Sequence, residues 1–232
     1  DMTVADFIIR FIYDRGVRTV FMVTGGQAMY LNDAVYREKK IEPIFTHHEQ
    51  AAGMAAEAYG RVTREIGVAM VTAGPGAINV LNGVVGAWVD SSPLLVISGQ
   101  SALSTVTYME KSNIRQLGLQ GIYIKPLAAS VTKYFVTVDD PAKILYYLEK
   151  AYFLATNGRT GPVWIDVPLD IQRMKMPSGV LKKFDPPENK KNETTIKKQV
   201  AKTIDILSQS KRPLLLLGQG VRLAKAQRIC EQ

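Results

Sequence analysis

The feature that most constrains the fold is a repeated order of short apolar strand, glycine turn and helix. One strand is predicted at Thr19–Val23, which stops at the turn formed by Thr24, Gly25 and Gly26 before a helix at Ala28–Glu38. The same order returns with a strand at Pro43–Thr46 and a helix at Glu49–Arg64. A chain built in this way is expected to fold as alternating strands and helices.

The pattern continues as far as Pro168. Further predicted strands are Val68–Thr72, Leu94–Ser98, Val131–Val136 and Val163–Val167. Further predicted helices are Val4–Ile12, opened by a capping box of Thr3 and Asp6, a stretch ending near Asp90, and Pro141–Ala155. Residues 100 to about 127 are predicted to be irregular. Because the strands are apolar on both faces, we predict an α/β fold with a mostly parallel sheet flanked by helices on both faces.

A change of composition predicts where this first domain ends. Residues 173–192 lose their periodicity and gather prolines and lysines, which predicts a linker after a domain of residues 1–172. Beyond it, Thr195–Ser208 has the pattern of an amphipathic helix and Pro213–Leu217 that of a strand. Residues 193–232 hold too few elements to close a sheet, so we expect the start of a second α/β domain and a longer parent polypeptide.

The net charge of +8 is concentrated around the predicted linker. Between Lys175 and Arg212 there are ten basic and four acidic residues, which account for six of the eight net positive charges. Aromatic residues do not alternate with the basic ones as in nucleic-acid-binding segments, so we expect a solvated linker and no nucleic-acid partner. A single cysteine, Cys230, the lack of a signal-peptide pattern and the lack of an apolar run of ~20 residues predict a reduced, cytoplasmic protein without membrane spans.

Three polar or glycine-rich stretches follow predicted strands, where ligands bind in open parallel sheets. They are TGGQ at 24–27, THHEQAAGMAAEAYGR at 46–61 and TAGPGAIN at 72–79. Glu49 begins a helix whose next residues are small. Taken singly, the glycines could serve only as turns and Glu49 only as a charge on the helix dipole. His47 and His48 lack further histidines for a metal site, so no metal ligand is predicted.

The three stretches and AWVDSSPLLVISGQ at 87–100, in this order and spacing, resemble the pyrimidine-binding domain of thiamine diphosphate-dependent enzymes of the acetolactate synthase and 2-oxo acid decarboxylase superfamily. The resemblance runs from about Val4 to Pro168, and GRTGPVWIDVPLD at 158–170 is similar to the usual end of that domain. KRPLLLLGQGVR at 211–222 resembles the opening of the family's middle domain.

The resemblance implies roles for particular residues. Glu49 is the catalytic carboxylate, expected to be largely desolvated, that shares a proton with the pyrimidine ring of the cofactor and so promotes loss of the thiazolium proton. The implied cofactor-binding residues are Glu49, Thr72, Pro75, Asn79, Gly25 and Gly26. The implied substrate-facing residues are Gln27 and Gln120. At the latter the chain reads Leu-Gln-Gly, where acetolactate synthases typically have Phe-Gln-Glu.

The resemblance further implies decarboxylation and carboligation of a 2-oxo acid. The implied cofactors are thiamine diphosphate and magnesium, with the magnesium ligands expected in a domain outside this chain. The expected partner is a second copy of the full-length subunit, because the small and apolar residues on the predicted helices 49–64 and 76–90 suit a packed interface. Two alternatives stay open, namely a simple 2-oxo acid decarboxylase or other superfamily member and a non-catalytic α/β binding module.

Overall fold

The computed structural model describes residues 2–112, 114–187 and 192–231. The chain forms two compact units, Asp1–Phe184 and Asp185–Gln232. The strands of the first unit are β1 (Thr19–Met22), β2 (Glu42–Phe45), β3 (Gly67–Val71), β4 (Leu94–Gln100), β5 (Tyr134–Thr137) and β6 (Pro162–Pro168). They form one six-stranded sheet in the order β2-β1-β3-β4-β6-β5, in which every pair is parallel.

Nine of the helices described belong to the first unit. They are α1 (Val4–Asp14), α2 (Met29–Arg37), α3 (Glu49–Thr63), α4 (Pro75–Asn79), α5 (Leu81–Asp90), α6 (Leu103–Lys111), α7 (Lys125–Ala128), α8 (Ile144–Thr156) and α9 (Leu169–Gln172). The second unit contains α10 (Glu193–Gln209), α11 (Gln219–Leu223) and α12 (Gln227–Cys230). None of the helices in the described ranges combines the length and the apolar character that crossing a bilayer requires.

The sheet is covered on both faces, as the apolar strands predict. Every residue of β3, β4 and β6 is buried. One core cluster packs α1, α2 and α8 against the sheet, and a second, around the fully buried Trp164, packs α3, α4 and α5 against it. Strands buried on both sides are typical of parallel sheets with helical crossovers. The α/β prediction is therefore confirmed.

The first helix begins where its sequence predicts. The Thr3 hydroxyl accepts a hydrogen bond from the Asp6 amide at 3.2 Å, and the Thr3 amide donates to the Asp6 carboxylate at 2.8 Å. This reciprocal capping box satisfies two amides that the first turn of a helix leaves without partners. The helix then buries Ile8, Ile9 and Ile12 against the sheet.

Two predictions for local structure are wrong. The segment predicted to be irregular contains α6, whose buried Val106 and Met109 lie three residues apart on one helical face. The predicted strand Pro213–Leu217 is not a strand, and Leu214 and Leu216 are each 91% exposed. A strand needs a neighbour to hydrogen-bond with, and no other segment described in the second unit pairs with this one.

The segment that follows β6 packs against the rest of the first unit as far as Phe184. The amide of Val4 donates to the carbonyl of Met174 and the amide of Met176 to that of Met2, both at 2.9 Å. The Phe184 ring packs against Tyr146 of α8 with centroids 5.7 Å apart. The first compact unit therefore extends beyond residue 172, whereas the domain boundaries of the parent protein stay a prediction.

Candidate functional site

The candidate site lies at the carboxyl edge of the sheet, where the strand order reverses. After β1 the chain moves outward to the edge strand β2, and from β3 onward it adds strands on the other side of β1. The loops that follow β1, β2 and β3 therefore converge at the switch between β1 and β3. This is the place where open α/β sheets bind ligands.

Glu49 reaches this edge as the first residue of α3. His48 is the N-cap of the helix, and its Nδ1 accepts a hydrogen bond from the amide of Gln50 at 3.1 Å. The Thr46 hydroxyl donates to the carbonyl of His48 at 2.9 Å and fixes the approach to the helix. His48 therefore has a capping role. Among the residues described, no group of three or more His, Cys, Asp or Glu side chains is placed to hold a metal ion.

Among the residues that the structure describes, one side chain hydrogen-bonds the Glu49 carboxylate, and it does so on one side. Asn79 at the end of α4 donates from Nδ2 to Oε2 of Glu49 at 3.0 Å. The other oxygen, Oε1, faces Gly76, where an added Cβ would lie 3.3 Å from it. A glycine at this position thus leaves room beside the second oxygen. The Asn79 contact is not apparent from the sequence, because the two residues are 30 positions apart.

Glu49 is less buried than expected. The family resemblance predicts a largely desolvated carboxylate, but the side chain is half-buried in the single chain. Its helix begins at the open carboxyl edge of the sheet, where the described chain covers one side of the carboxylate, so contact with solvent remains. The structure thus differs from the prediction in the exposure of Glu49, while the residue begins its helix as predicted.

The glycine loop after β1 contacts the loop after β3. A Cβ on Gly25 would come within 2.5 Å of the Thr72 Cβ, so only glycine permits this approach. Gly26 faces open space, with nothing within 4 Å of an added Cβ. Thr72 also lies beside Gly76, whose added Cβ would be 2.9 Å from the Thr72 Cγ2. Gly25, Thr72 and the Glu49–Asn79 pair thus share one cluster.

The remaining predicted residues lie around this cluster. Pro75 is the exposed first residue of α4. Gln27 is fixed through its carbonyl, which touches Gly99 and accepts from Nε2 of Gln172 at 2.7 Å. Gln120 is exposed with a left-handed backbone (φ 54°), and its carbonyl contacts Gly74. Within the described part of the chain, no hydrogen bond joins the side chain of Gln27 or Gln120 to Glu49, and their substrate-facing roles stay predictions.

Two residues that support the edge were missed by sequence reasoning. Gln172 is fully buried and bridges the carbonyls of Gln27 and Val167. Asp166 on β6 is buried, and its carboxylate accepts from Ser98 at 2.6 Å and from Gln100 and Thr137 at 3.3 Å. Burial raises the pKa of Asp166 to about 7, although the three hydrogen bonds act in the opposite direction. In the sequence, this buried carboxylate is indicated by a single acid that interrupts the apolar run 163–167.

Comparison with known proteins agrees with this geometry. Residues 2–123 match the family model described as "Thiamine pyrophosphate enzyme, N-terminal TPP binding domain". The chain is 34% identical over 226 residues to the chloroplastic acetolactate synthase of Arabidopsis thaliana, covering 93% of this chain and 31% of the relative. It is 33% identical over 223 residues to the large subunit of acetolactate synthase isozyme 3 of Escherichia coli K12, covering 93% of this chain and 37% of the relative.

A further relative is the acetolactate synthase large subunit of Corynebacterium glutamicum, which is 32% identical over 227 residues, covering 97% of this chain and 35% of the relative. The chain thus spans about a third of the length of these curated relatives. The family match covers more than half of the chain and includes Glu49, Thr72 and Asn79. The chain therefore belongs to the thiamine pyrophosphate enzymes, of which it carries the N-terminal cofactor-binding domain.

Proposed function

We propose that the parent protein is a thiamine diphosphate-dependent, acetolactate synthase-like enzyme that decarboxylates a 2-oxo acid and joins the remaining fragment to an acceptor. This chain would supply the half of the active site that activates the cofactor. The observation that carries the proposal is the Glu49 carboxylate at the strand-order switch, with Oε2 held by Asn79 and Oε1 beside a glycine. The named relatives support the choice of reaction.

The residues present fit a flat, nitrogen-containing ring. Gly76 leaves space beside Oε1 of Glu49, and Gly26 faces open space on the loop after β1. Glu49, Thr72, Pro75, Asn79, Gly25 and Gly26 would hold the pyrimidine part of thiamine diphosphate, while Gln27 and Gln120 would face the substrate. When bound, the cofactor supplies an electron sink for the negative charge left on carbon by decarboxylation.

In this proposal Glu49 holds a proton at Oε1 and exchanges it with a ring nitrogen. Asn79 donates to Oε2 and so restricts rotation of the carboxylate, which keeps Oε1 directed toward the ligand. A group that transfers a proton must lie within hydrogen-bonding reach of its partner, and a fixed orientation reduces the entropy lost in reaching that geometry. Asn79 is thus a positioning residue as well as a cofactor contact.

The remaining parts of the site would come from elsewhere in the parent protein. Magnesium and the diphosphate group would be bound by residues beyond this chain. We further propose a second copy of the full-length subunit as the partner, since the half-buried Glu49 lies at an open edge that another subunit could cover. A cytoplasmic location is proposed together with these features.

The test is a substitution of Glu49 by Gln in the full-length protein. Glutamine keeps the size of the side chain but cannot share an acidic proton, so deuterium exchange at the reactive carbon of bound thiamine diphosphate should slow by about 10² to 10⁴. Glu65→Gln, at an exposed position after α3, is the matched control and should exchange at the wild-type rate. Equal rates in all three proteins at matched cofactor occupancy would remove Glu49 from the mechanism.

The products formed from pyruvate distinguish the reaction classes. Acetolactate is expected if the enzyme joins two molecules, and acetaldehyde with no acetolactate would identify the simple decarboxylase. The Leu-Gln-Gly run at 119–121 departs from the Phe-Gln-Glu typical of acetolactate synthases and so weakens the assignment of the substrate, which is why both product classes are measured. Absence of any product, together with no exchange at the cofactor, would instead support the non-catalytic binding module.

A further inference from the structure

A second group of polar side chains lies at the opposite edge of the sheet from Glu49. Lys133 immediately precedes β5, and Arg159 and Thr160 precede β6. Trp88 lies in the last turn of α5, shortly before the start of β4. These four residues line a cavity of about 230 Å³. Because Lys133, Arg159 and Thr160 directly precede the amino ends of β5 and β6, this cavity is separate from the proposed cofactor site at the carboxyl edge.

The two cations of the cavity are fixed by neutral groups. Lys133 donates from Nζ to the carbonyls of Asn157 and Arg159 at 3.1 and 2.6 Å. The Nε of Arg159 donates to the Ser91 hydroxyl at 2.7 Å. The Lys133 stem runs over Gly161, where an added Cβ would lie 3.1 Å from Cδ. Both positive groups are therefore held in place instead of extending freely into solvent.

Neither cation is neutralised by an acid. Across residues 2–112, 114–187 and 192–231, no ion pair involves Lys133 or Arg159. Asp90, the acid at the end of α5, is paired with Arg61 at 2.5 Å. Burial lowers the pKa of Lys133, and no charged group contributes to that shift. A partly desolvated cation without a counter-ion is energetically unfavourable, so binding of an anion beside it would lower the free energy of the folded protein.

The partial negative charges of the helix carboxyl ends at this edge do not cancel the positive charges of Lys133 and Arg159. Helices α5 and α8 end at this edge, at Asp90 and Thr156, and α7 with the single turn after it ends at Val131, just before Lys133. Each carboxyl end carries at most roughly half a negative charge, so the three together contribute at most about 1.5 negative charges, less than the two positive charges of Lys133 and Arg159. Hydrogen-bonding capacity also remains, because the hydrogen bonds to described residues use two of the three Lys133 ammonium hydrogens and only Nε of Arg159.

We propose that the cavity lined by Trp88, Lys133, Arg159 and Thr160 binds a small oxyanion of the phosphate or phosphate-monoester class. The planar guanidinium of Arg159 matches two oxygens of such an anion, and the Lys133 ammonium supplies a point charge beside it. The Trp88 ring, which is 42% exposed, provides a flat surface for an organic substituent on the phosphate. This function would be independent of thiamine diphosphate chemistry.

The two tryptophans of the chain allow a direct test with the chain as it stands. Inorganic phosphate is titrated while the indole N–H and arginine Nε–H resonances are followed by NMR. The Trp88 and Arg159 signals should shift with saturation, whereas the signal of the fully buried Trp164 should not move. Unchanged Trp88 and Arg159 signals would overturn the proposal, whether or not the chain binds its cofactor.

Variants and a second ligand sharpen the test. Arg159→Gln should weaken phosphate binding by about tenfold or more, which is the scale expected for one charge-assisted contact. Arg228→Gln, an exposed position in the second unit, makes the same charge change and should leave binding unaltered. Equal weakening in both variants would indicate non-specific screening and contradict the site. If Arg159→Gln does not fold, the wild-type NMR titration decides alone.

Phenyl phosphate distinguishes the two sources of the anion. Tighter binding than inorganic phosphate, lost in Trp88→Ala, would identify the ligand as a phosphate monoester that packs on the indole. Equal affinity for both ligands would identify free phosphate. Phenol serves as the neutral control, and binding of phenol with the same affinity as phenyl phosphate would overturn the assignment of an anion site.

Discussion

At the scale of single residues, Asp166 shows how a buried carboxylate can be tolerated without a cation. Its two oxygens accept hydrogen bonds from Ser98, Gln100 and Thr137, and Ser98 in turn accepts from the Trp164 indole at 2.7 Å. Gln100 also donates to the carbonyl of Ile122 at 3.3 Å. The network therefore connects three strands with the chain segment that carries Gln120.

The raised pKa of Asp166 makes a prediction about stability. The folded-state value of about 7 lies above the unfolded value of ~3.9, so ionisation of Asp166 disfavours the folded state. The free energy of unfolding should therefore be highest, as far as Asp166 is concerned, below pH ~4, where the carboxyl is protonated in both states. It should fall by an amount on the order of a few kcal/mol as the pH rises to about 7.

Urea unfolding of the wild type and of Asp166→Asn across this pH range measures the effect. Asparagine does not titrate, but its amide would face the donors of Gln100 and Thr137, so the variant should be less stable at low pH. The stability difference between the two proteins should shrink as the pH approaches 7. Parallel stability curves would show that Asp166 does not titrate in this range.

At the scale of elements, α3 and α5 cross at two glycines. A Cβ on Gly83 would meet the backbone of Gly53 and would come within 2.6 Å of the amide nitrogen of Met54. The two helices are therefore packed backbone against backbone. This close crossing holds the start of α3, and with it Glu49, against the helix pair α4 and α5.

Gly83→Ala should destabilise the first unit, because the added methyl group meets backbone that cannot rotate away. The expected loss is about 1 to 3 kcal/mol in the free energy of unfolding. Gly86→Ala on the same helix is the control, since an added Cβ there meets nothing within 4 Å, and it should stabilise the protein by roughly 0.5 to 1 kcal/mol. Chemical denaturation measures both, and equal effects would contradict the close crossing.

At the scale of the whole molecule, the chain holds one half of the proposed site. We predict that it does not bind thiamine diphosphate tightly by itself, because the groups for the diphosphate and magnesium are proposed to lie beyond it. Calorimetry with thiamine diphosphate and magnesium should give no submicromolar binding to the chain, whereas the full-length protein should bind. Submicromolar binding to the chain alone would contradict the half-site proposal.

Local sequence patterns determined the α/β architecture and the approximate position of most elements. Apolar runs, glycine turns and the Thr3–Asp6 capping box act over a few residues, so they can be recognised without the fold. They also predict that Glu49 and the loops at 24–27 and 72–79 lie at one edge of the sheet, because the carboxyl ends of parallel strands meet there. The resemblance to a family added the predicted roles of these residues.

Only the tertiary structure decided which side chains touch and which local patterns are used. The Asn79–Glu49 hydrogen bond, the Gly53–Gly83 crossing and the buried Asp166 network join residues that are distant in the sequence. The run at 213–217 has the composition of a strand but is not one, since a strand forms only when another pairs with it. Exposure of Glu49 likewise depends on what covers the edge of the sheet, which no local pattern contains.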